Sequence, residues 1–202
     1  MKLKFIHITK TGGTSIENAA RAKGINWGRY DTDLKFLGKC YWHNPFQFCV
    51  KNKEKSRLIE SFEFFAVVRH PYDRCVSEYF CRWGGPKENL KSKEQMNRYI
   101  KLKMHQIIRS GDRSLKSRHF VPQYRYFYDG KGNRFVNQVV KFDNLQEEFN
   151  RLMAQYDIPL VLDNHDNFSE KTLSVGDLDE DTKILIQRVY KRDFLEFGFD
   201  HK

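Results

Sequence analysis

Residues 5–17 are Phe5-Ile6-His7-Ile8-Thr9-Lys10-Thr11-Gly12-Gly13-Thr14-Ser15-Ile16-Glu17. A short apolar run comes first, two adjacent glycines interrupt the chain, and apolar residues then recur at helical spacing. This order predicts a strand, a tight turn and a helix. We expect Thr14 or Ser15 to cap that helix, and Glu17 to lie in its first turn, where a negative charge is favourable.

The turn between this strand and this helix has the composition of an anion site. Gly12 and Gly13 have no Cβ, so backbone N–H groups there can face a ligand. A helix N-terminus attracts anions, and Lys10 adds a full positive charge beside it. The residues alone leave two readings open: a phosphate or sulfate cradle, and a strand–helix turn that binds nothing.

The turn differs from the usual nucleoside-triphosphate loop. In that loop the lysine follows the last glycine, whereas Lys10 precedes both glycines here. No strand-borne aspartate for magnesium is evident near the turn. These differences argue against a small-molecule kinase, which remains an alternative that magnesium-dependent ATP hydrolysis would support.

A second strand–loop–helix unit follows later in the chain. Phe62 to Val68 is a nearly continuous apolar run, which is typical of a buried central strand. Arg69-His70-Pro71-Tyr72-Asp73-Arg74 comes directly after it, and Pro71 suits the first turn of a helix. Open α/β sheets bind ligands at the carboxyl ends of their strands, so we expect Lys10 and Arg69 to converge on one site.

Both units resemble motifs of the sulfotransferases that use 3′-phosphoadenosine 5′-phosphosulfate (PAPS). Lys10 to Ser15 resembles the 5′-phosphosulfate loop, and Arg69 to Ser77 is similar to the 3′-phosphate signature. The resemblance is closest to the branch that includes heparan sulfate 2-O- and 6-O-sulfotransferases and their small bacterial and viral relatives. It implies one domain over residues 1–202 with a three-layer, P-loop-like α/β fold. We expect a mainly parallel sheet of about four or five strands with helices on both faces.

The resemblance also implies the roles of individual residues. PAPS would be the sulfuryl donor, and no metal would be needed. The 3′-phosphate would contact Arg69 and Ser77, and His43 would be the base that takes the proton of the acceptor hydroxyl. The main rival base is His119, whereas His7 and His70 are expected to be structural. The 5′-phosphosulfate would lie on the loop, with Lys10 also stabilising the leaving phosphate oxygen, and the loop residues are Lys10, Thr11, Gly12, Gly13, Thr14 and Ser15.

The resemblance continues to residue 199. Arg118 to Tyr124 resembles a His-x-x-Pro-Gln segment, and Val139 to Leu145 resembles a strand-to-helix element of the family. The closing pattern from Tyr190 to Phe199 is expected to be structural, because aromatic residues at helical spacing are usually core. Three residues are candidate substrate contacts: His119, Gln123 and Lys171.

The formal net charge of +10 predicts attraction to polyanions. The basic stretch from Lys91 to Lys116 is either a binding face for an acidic glycan or a solvated helix face. The acceptor is expected to be a small molecule or a glycan, with no nucleic acid involved. A non-enzymatic module that binds polyanions remains an alternative, which binding to any polyanion without PAPS binding would support.

The four cysteines predict a cytosolic, reduced protein. No Cys-x-x-Cys pair is present, and Cys75 and Cys81 are spaced unsuitably for a bridge within one predicted helix. A Cys40–Cys49 disulfide is the alternative, and a Golgi location applies only if the chain is a trimmed form of an anchored protein. We expect neither a signal peptide nor a membrane span.

Further elements are predicted from periodicity and turn residues. Strand–turn–strand is expected from Tyr124 to Phe142, and a short strand from Lys39 to His43. After the second strand–loop–helix unit, three helices are expected: Asn89 to Arg109, a helix capped by Asp143 that runs to about Tyr156, and Asp179 to Phe197.

Overall fold

The computed structural model of the protein describes residues 2–31, 61–86, 92–111, 119–129, 131–163 and 172–201. The chain divides into two compact units. The first unit consists of Met1–Val68 and Arg125–Phe168, and the second unit of Arg69–Tyr124 and Ser169–Lys202. The prediction of a single domain stays a prediction.

The strands and helices of the described part follow the order that the sequence predicts for an α/β protein. They are β1 (Lys2–Ile6), α1 (Gly13–Ala22), β2 (Phe62–Val68), α2 (Pro71–Tyr79), α3 (Lys93–Ser110), β3 (Gln138–Lys141), α4 (Leu145–Gln155), α5 (Glu180–Val189) and α6 (Lys191–Phe197).

The first unit contains a parallel sheet in the order β1-β2-β3. The register pairs Ile6 with Ala66 and Val68 with Lys141, so β1 and β2 end at the same edge of the sheet. The central strand is β2, as its continuous apolar run predicts, because both of its neighbours are parallel and pack side chains on it. The sheet has three strands in the described ranges, fewer than expected, and the predicted strand from Lys39 to His43 lies outside them.

Helices α1 and α4 flank this sheet and share one hydrophobic core with it. Burying a large apolar side chain contributes roughly 1.5–3 kcal/mol, so this cluster is the main stabilising element of the first unit. Trp27 joins the cluster and donates its indole N–H to the carbonyl of Leu3 at 3.0 Å. The strand and helix residues of the cluster are Leu3, Phe5, Ile16, Ala20, Phe65, Val67, Val140, Leu145, Phe149, Leu152 and Met153.

The predicted pair of strands from Tyr124 to Phe142 is wrong in its first half. Gln123–Tyr126 forms a 3₁₀ turn, and only an isolated antiparallel bridge joins Tyr128 to Arg134. The aromatic residues of this segment favour a strand, but the buried Asp193 carboxylate accepts hydrogen bonds from the backbone N–H groups of Gln123 and Tyr124. These N–H groups are therefore bonded to a side chain and not to a neighbouring strand.

Two helix boundaries also differ from prediction. The last predicted helix is broken at Tyr190, whose backbone leaves helical geometry between α5 and α6. The side chain of Asp143 does not cap α4, because a 3₁₀ turn over Phe142–Asn144 precedes that helix. The predicted helix start at Pro71 is confirmed, because α2 begins there. Helix α3 ends at Gly111, whose φ of 73° favours glycine.

Cys75 and Cys81 are free thiols, as predicted, whereas Cys40 and Cys49 lie outside the described residues. Among the residues that the structure describes, no helix has both the length and the apolar character needed to cross a membrane.

In the second unit, Asn97 connects α3 with the segment that leads into α5. Its side-chain amide donates to the carbonyls of Lys93 and Asp177, each at 2.8 Å. Its oxygen accepts from the N–H of Asp179 at 2.9 Å. The Asn97 side chain is buried, and its three hydrogen bonds are partly shielded from water, so its removal should be costly.

We expect Asn97→Ala to lower the free energy of unfolding by about 1–2 kcal/mol, because it removes three hydrogen bonds and leaves partly buried backbone groups of Asp177 and Asp179 without this partner. Urea unfolding followed by circular dichroism measures this change. Leu102→Ala is the matched control, because Leu102 lies on the same helix with 61% of its surface exposed. We expect the control to change stability by less than about 0.5 kcal/mol. Equal costs for both variants would contradict the structural role of Asn97.

Candidate active site

The loop between β1 and α1 has an unusual backbone. Lys10 has φ 62° and Gly12 has φ 81°, both in the left-handed region. A lysine in that region costs of order 1 kcal/mol, so the surrounding contacts must hold the loop in place. Helix α1 begins at Gly13 with Gly12 as its N-cap and no side-chain cap. The prediction that Thr14 or Ser15 caps the helix is therefore wrong, because both lie inside its first turn.

The glycines allow close approach on both sides of the loop. A Cβ on Gly12 would lie 2.9 Å from Cδ2 of Leu145, and a Cβ on Gly13 would lie 2.3 Å from Cδ2 of His7. Phe142 and Leu145, at the start of α4, therefore back the loop on one side, and His7 backs it on the other. Glycine is therefore required at both positions because the packing is tight, and not only because the backbone needs conformational freedom.

Glu17 anchors the chain beneath the loop. The structure places it fully buried and outside the first turn of α1, contrary to prediction. Its carboxylate lies 2.8 Å from Nδ1 of His7 and accepts from Nε of Arg29 at 2.6 Å and from the Arg29 backbone N–H at 2.9 Å. Burial alone would raise the pKa of Glu17, but the contacts with His7 and Arg29 outweigh it and hold the pKa below its usual value.

The predicted loop residues differ in what their side chains do. The hydroxyl of Thr11 is buried and donates to the carbonyl of Ile8 at 2.9 Å, so it stabilises the turn itself. Thr14 is exposed and accepts from Arg29 at 3.3 Å. Lys10 and Ser15 are partly exposed. The first N–H groups of α1, at Gly13 and Thr14, precede any intrahelical carbonyl and so present donors at the helix end.

The second unit begins with Arg69, whose backbone is clasped by Gln123. The side-chain oxygen of Gln123 accepts from the Arg69 N–H at 2.9 Å, and its nitrogen donates to the Arg69 carbonyl at 2.8 Å. Gln123 is fully buried and also contacts the Asp193 carboxylate. The described contacts therefore make Gln123 a positioning residue for Arg69, and a direct substrate contact stays a prediction.

Asp193 supports this clasp from the interior. Burial raises its pKa to about 6, although the N–H groups of Tyr124 and Gln123 favour the ionised form. The same acid fixes the 3₁₀ turn that carries Gln123, so a residue of the closing helix controls where the Arg69 backbone lies. The closing pattern is structural, as predicted, since Tyr190, Phe194 and Phe197 are all buried.

The other residues of the Arg69–Ser77 motif have distinct roles. His70 caps α2 by accepting from the N–H of Tyr72, and its Nε2 lies 3.0 Å from the carbonyl of Asp200. Arg74 is 1% exposed and donates to the carbonyl of Val121 at 2.9 Å, so it braces the interior. Ser77 lies on α2 and is 2% exposed.

His119 belongs to a cluster that the sequence did not reveal. Its Nδ1 lies 2.5 Å from Oε2 of the buried Glu78, and the ligand atoms of Glu78, Cys81 and His119 all lie within 4.8 Å of one another. Burial alone would lower the pKa of His119, but these contacts outweigh it and raise the pKa to about 9. A histidine that holds its proton at neutral pH is a poor general base, so this environment disfavours His119 as the rival to His43.

His43 and Lys171 lie outside the described residues, so their roles stay predictions. The structure brings Lys10 to Ser15 together in the first unit, and Arg69, Ser77, Gln123 and His119 belong to the second unit. The parallel register places the ends of β1 and β2 at one sheet edge, and Arg69 is the residue that follows β2. Convergence of Lys10 and Arg69 on one ligand remains a prediction.

Contacts within the second unit engage two of the basic side chains of α3. Lys101 lies 2.9 Å from the Asp179 carboxylate, and the Lys103 ammonium stands over the Tyr99 ring at 5.1 Å. Burial lowers the pKa of Lys103. These contacts leave fewer of its charges for a ligand than the sequence suggests.

Comparison with protein families identifies the class. Residues 1–200 match the family described as the Sulfotransferase family. Because the match spans nearly the whole chain, the protein belongs to the sulfotransferase family, and its activity is sulfotransfer in the general sense. The α/β architecture with a parallel sheet flanked by helices is consistent with the P-loop-like fold of that family. Comparisons with curated proteins and with solved structures gave no match.

We expect Gly13→Ala to lower the free energy of unfolding by about 1–3 kcal/mol, because the new methyl group overlaps the His7 ring. Gly176→Ala is the control, because its Cβ would meet only Oγ of Ser174 at an ordinary 3.4 Å. Removing the ring should relieve the overlap, so the double variant Gly13→Ala/His7→Ala should cost less than the sum of the two single variants. Urea unfolding of all four variants measures both effects, and additive costs would show that His7 does not restrict the loop.

Proposed function

We propose that the protein transfers the sulfuryl group of PAPS to a hydroxyl group of a carbohydrate. The observation that carries this proposal is the loop after β1, where left-handed residues at Lys10 and Gly12 lead directly into the N-terminus of α1. Family membership supplies the reaction class, and this loop supplies a place for the group that reacts.

The loop suits the 5′ end of the donor. In sulfuryl transfer, the bond between sulfur and the bridging phosphate oxygen breaks, and negative charge builds on that oxygen. Helix N–H groups and a lysine ammonium beside it would stabilise that charge more in the transition state than in the ground state. We assign this role to Lys10 and to the N–H groups of Gly13 and Thr14. Thr11, Gly12 and Ser15 complete the proposed loop contacts.

Arg69 and Ser77 suit the 3′-phosphate. A guanidinium donates two parallel hydrogen bonds to a phosphate, and a hydroxyl adds a third donor. Two observations support the assignment: the Gln123 clasp fixes the backbone that bears the Arg69 side chain, and Ser77 lies on α2, the helix that begins two residues after Arg69. Discrimination against ATP then follows, because ATP has no 3′-phosphate for these donors.

We propose His43 as the base that takes the proton of the acceptor hydroxyl as the sulfuryl group moves in line from donor to acceptor. The high pKa of His119 supports His43 indirectly, since it removes the main rival. A glycan acceptor is supported by the net charge of +10 and by the resemblance to heparan sulfate enzymes. His119, Gln123 and Lys171 remain proposed as minor contributors, and no nucleic acid or metal enters the reaction. A cytosolic location belongs to the same proposal.

Binding of 3′-phosphoadenosine 5′-phosphate, the product nucleotide, tests the donor site. Calorimetry should give micromolar binding to the wild-type protein and none with ATP. Arg69→Ala should weaken binding at least about tenfold, because a charge-assisted pair of hydrogen bonds is lost. Arg188→Ala removes the same charge from an exposed position on α5 and should leave binding unchanged.

A folded wild-type protein that does not bind this nucleotide would overturn the proposed donor. Binding of desulfated heparin without nucleotide binding would instead support the alternative of a polyanion-binding module. Magnesium-dependent binding of ATP would support the kinase alternative.

The proposed base is tested by turnover. We expect His43→Ala to lower the rate of sulfuryl transfer from PAPS by about 100-fold or more, because the acceptor loses its general base. Its affinity for the product nucleotide should be unchanged. The assay uses the desulfated glycan that the wild type modifies fastest, and His105→Ala, an exposed histidine on α3, is the control. A His43→Ala rate close to that of the control would exclude His43 as the base.

A further inference from the structure

Three side chains with complementary chemistry meet at the end of α2. They are Glu78, Cys81 and His119, and their ligand atoms all lie within 4.8 Å of one another. Glu78 is fully buried, the side chain of His119 is 13% exposed, and Cys81 is partly exposed. All three belong to the second unit. The partly exposed sulfur of Cys81 therefore lies beside the imidazole of His119, which the buried carboxylate of Glu78 orients.

The arrangement follows the logic of an activated nucleophile. A thiol needs a neighbouring base to become a thiolate, and that base needs a third group that holds its ring and stabilises its charge. Here a ring nitrogen of His119 lies within 4.8 Å of the Cys81 sulfur, and Nδ1 of the ring bonds to Oε2 of Glu78 at 2.5 Å. Each contact favours the thiolate–imidazolium ion pair over the neutral pair.

The charges around the pair are balanced. Glu78 also faces Arg74, at 3.6 Å between Oε1 and Nη2. From α3, Tyr99 faces Glu78 and Cys81, and its hydroxyl donates to the Gly84 carbonyl at 2.8 Å. Burial alone would raise the pKa of Cys81, but the bonds from His119 and Trp83 lower it below the usual thiol value. Glu78 and the thiolate are thus matched by Arg74 and His119.

The contact between Glu78 and His119 is a hydrogen bond and not a pair of ligands to one metal ion. Two ligands of one zinc ion lie well over 3 Å apart, because each is about 2.0–2.3 Å from the ion. The 2.5 Å separation of Oε2 and Nδ1 leaves no room for an ion between them. Gly84 packs on the ring, since a Cβ there would lie 2.4 Å from Cγ of His119. The imidazole is therefore fixed in the orientation that serves the sulfur.

We propose that Cys81 is a reactive thiolate, activated by His119 and Glu78, that forms mixed disulfides with small disulfides of the glutathione-disulfide type. The thiolate sulfur attacks one sulfur of the disulfide, a new S–S bond forms at Cys81, and the old S–S bond breaks. The second sulfur leaves as a thiolate and takes a proton from water. No electrons are gained or lost overall, since one disulfide replaces another.

The test uses 5,5′-dithiobis(2-nitrobenzoic acid), an aromatic disulfide whose released thiolate is coloured. An ordinary thiol with a pKa of about 8.5 reacts about twentyfold faster at pH 8 than at pH 6.5, because its thiolate fraction rises by that factor. We expect one thiol of the wild-type protein to show a rise clearly smaller than twentyfold between these two pH values, because a lowered thiol pKa leaves more thiolate at pH 6.5. Cys81→Ser should abolish this phase, which assigns it.

His119→Asn tests the activation. Asparagine keeps a donor for Glu78 but has no charge, so the Cys81 phase should regain the pH dependence of an ordinary thiol, with a loss of about tenfold or more at pH 6.5. Cys75 is buried, and burial raises its pKa to about 12. Its thiol should therefore stay unlabelled in folded protein, so labelling of Cys75 reports unfolding of any variant. Mass spectrometry after incubation with glutathione disulfide then locates the adduct.

The pH dependence of the wild-type thiol reaction tests the proposal even if a variant fails to fold. A wild-type rate that rises about twentyfold between pH 6.5 and pH 8 would overturn the proposal, as would a fast phase that survives Cys81→Ser. A folded His119→Asn protein with unchanged reactivity would show that His119 does not activate the sulfur and would also overturn it.

Discussion

The parallel pairing of β1 with β2 is the constraint on which the proposed chemistry depends. The register sets Ile6 beside Ala66, so both strands deliver the chain to the same edge of the sheet. The chain leaves β1 into the Lys10 loop and leaves β2 directly into Arg69. A one-residue slip would exchange the two faces of β1, which would move Lys4 away from the buried Asp31 carboxylate and Phe5 out of the apolar core.

Buried carboxylates position both cationic segments. Glu17 holds His7 and Arg29 beneath the loop, and Asp193 holds the turn whose Gln123 clasps Arg69. A buried carboxylate is costly unless several donors satisfy it, so each of these acids restricts the chain to one arrangement. This rigidity is useful to an anion site, because donors that are already in place need no reorganisation when charge develops.

Several of the cations behind the net charge of +10 make contacts within the protein. Arg74 is buried against Val121 and Glu78, Lys101 pairs with Asp179, and Lys103 lies over Tyr99. These cations contribute to the structure of the second unit. A polyanion would therefore be attracted by the remaining charges, and specificity for the proposed donor nucleotide would come from a few fixed groups and not from the overall field.

Local sequence signals were sufficient for the first strand–loop–helix unit, for β2 and for the start of α2 at Pro71, because apolar runs, glycines and proline act over a few residues. They failed where a distant side chain decides the backbone. Nothing near Gln123 indicates that Asp193 will bind its N–H, so the aromatic residues that follow were assigned to a strand. The pairing of Cys81 with His119 is hidden for the same reason, since it depends on how α2 and a later segment pack and not on spacing along the chain. The candidate site is thus predictable to the extent that its proposed ligand contacts are backbone groups of a local turn, whereas the groups that orient its side chains become evident only in the folded chain.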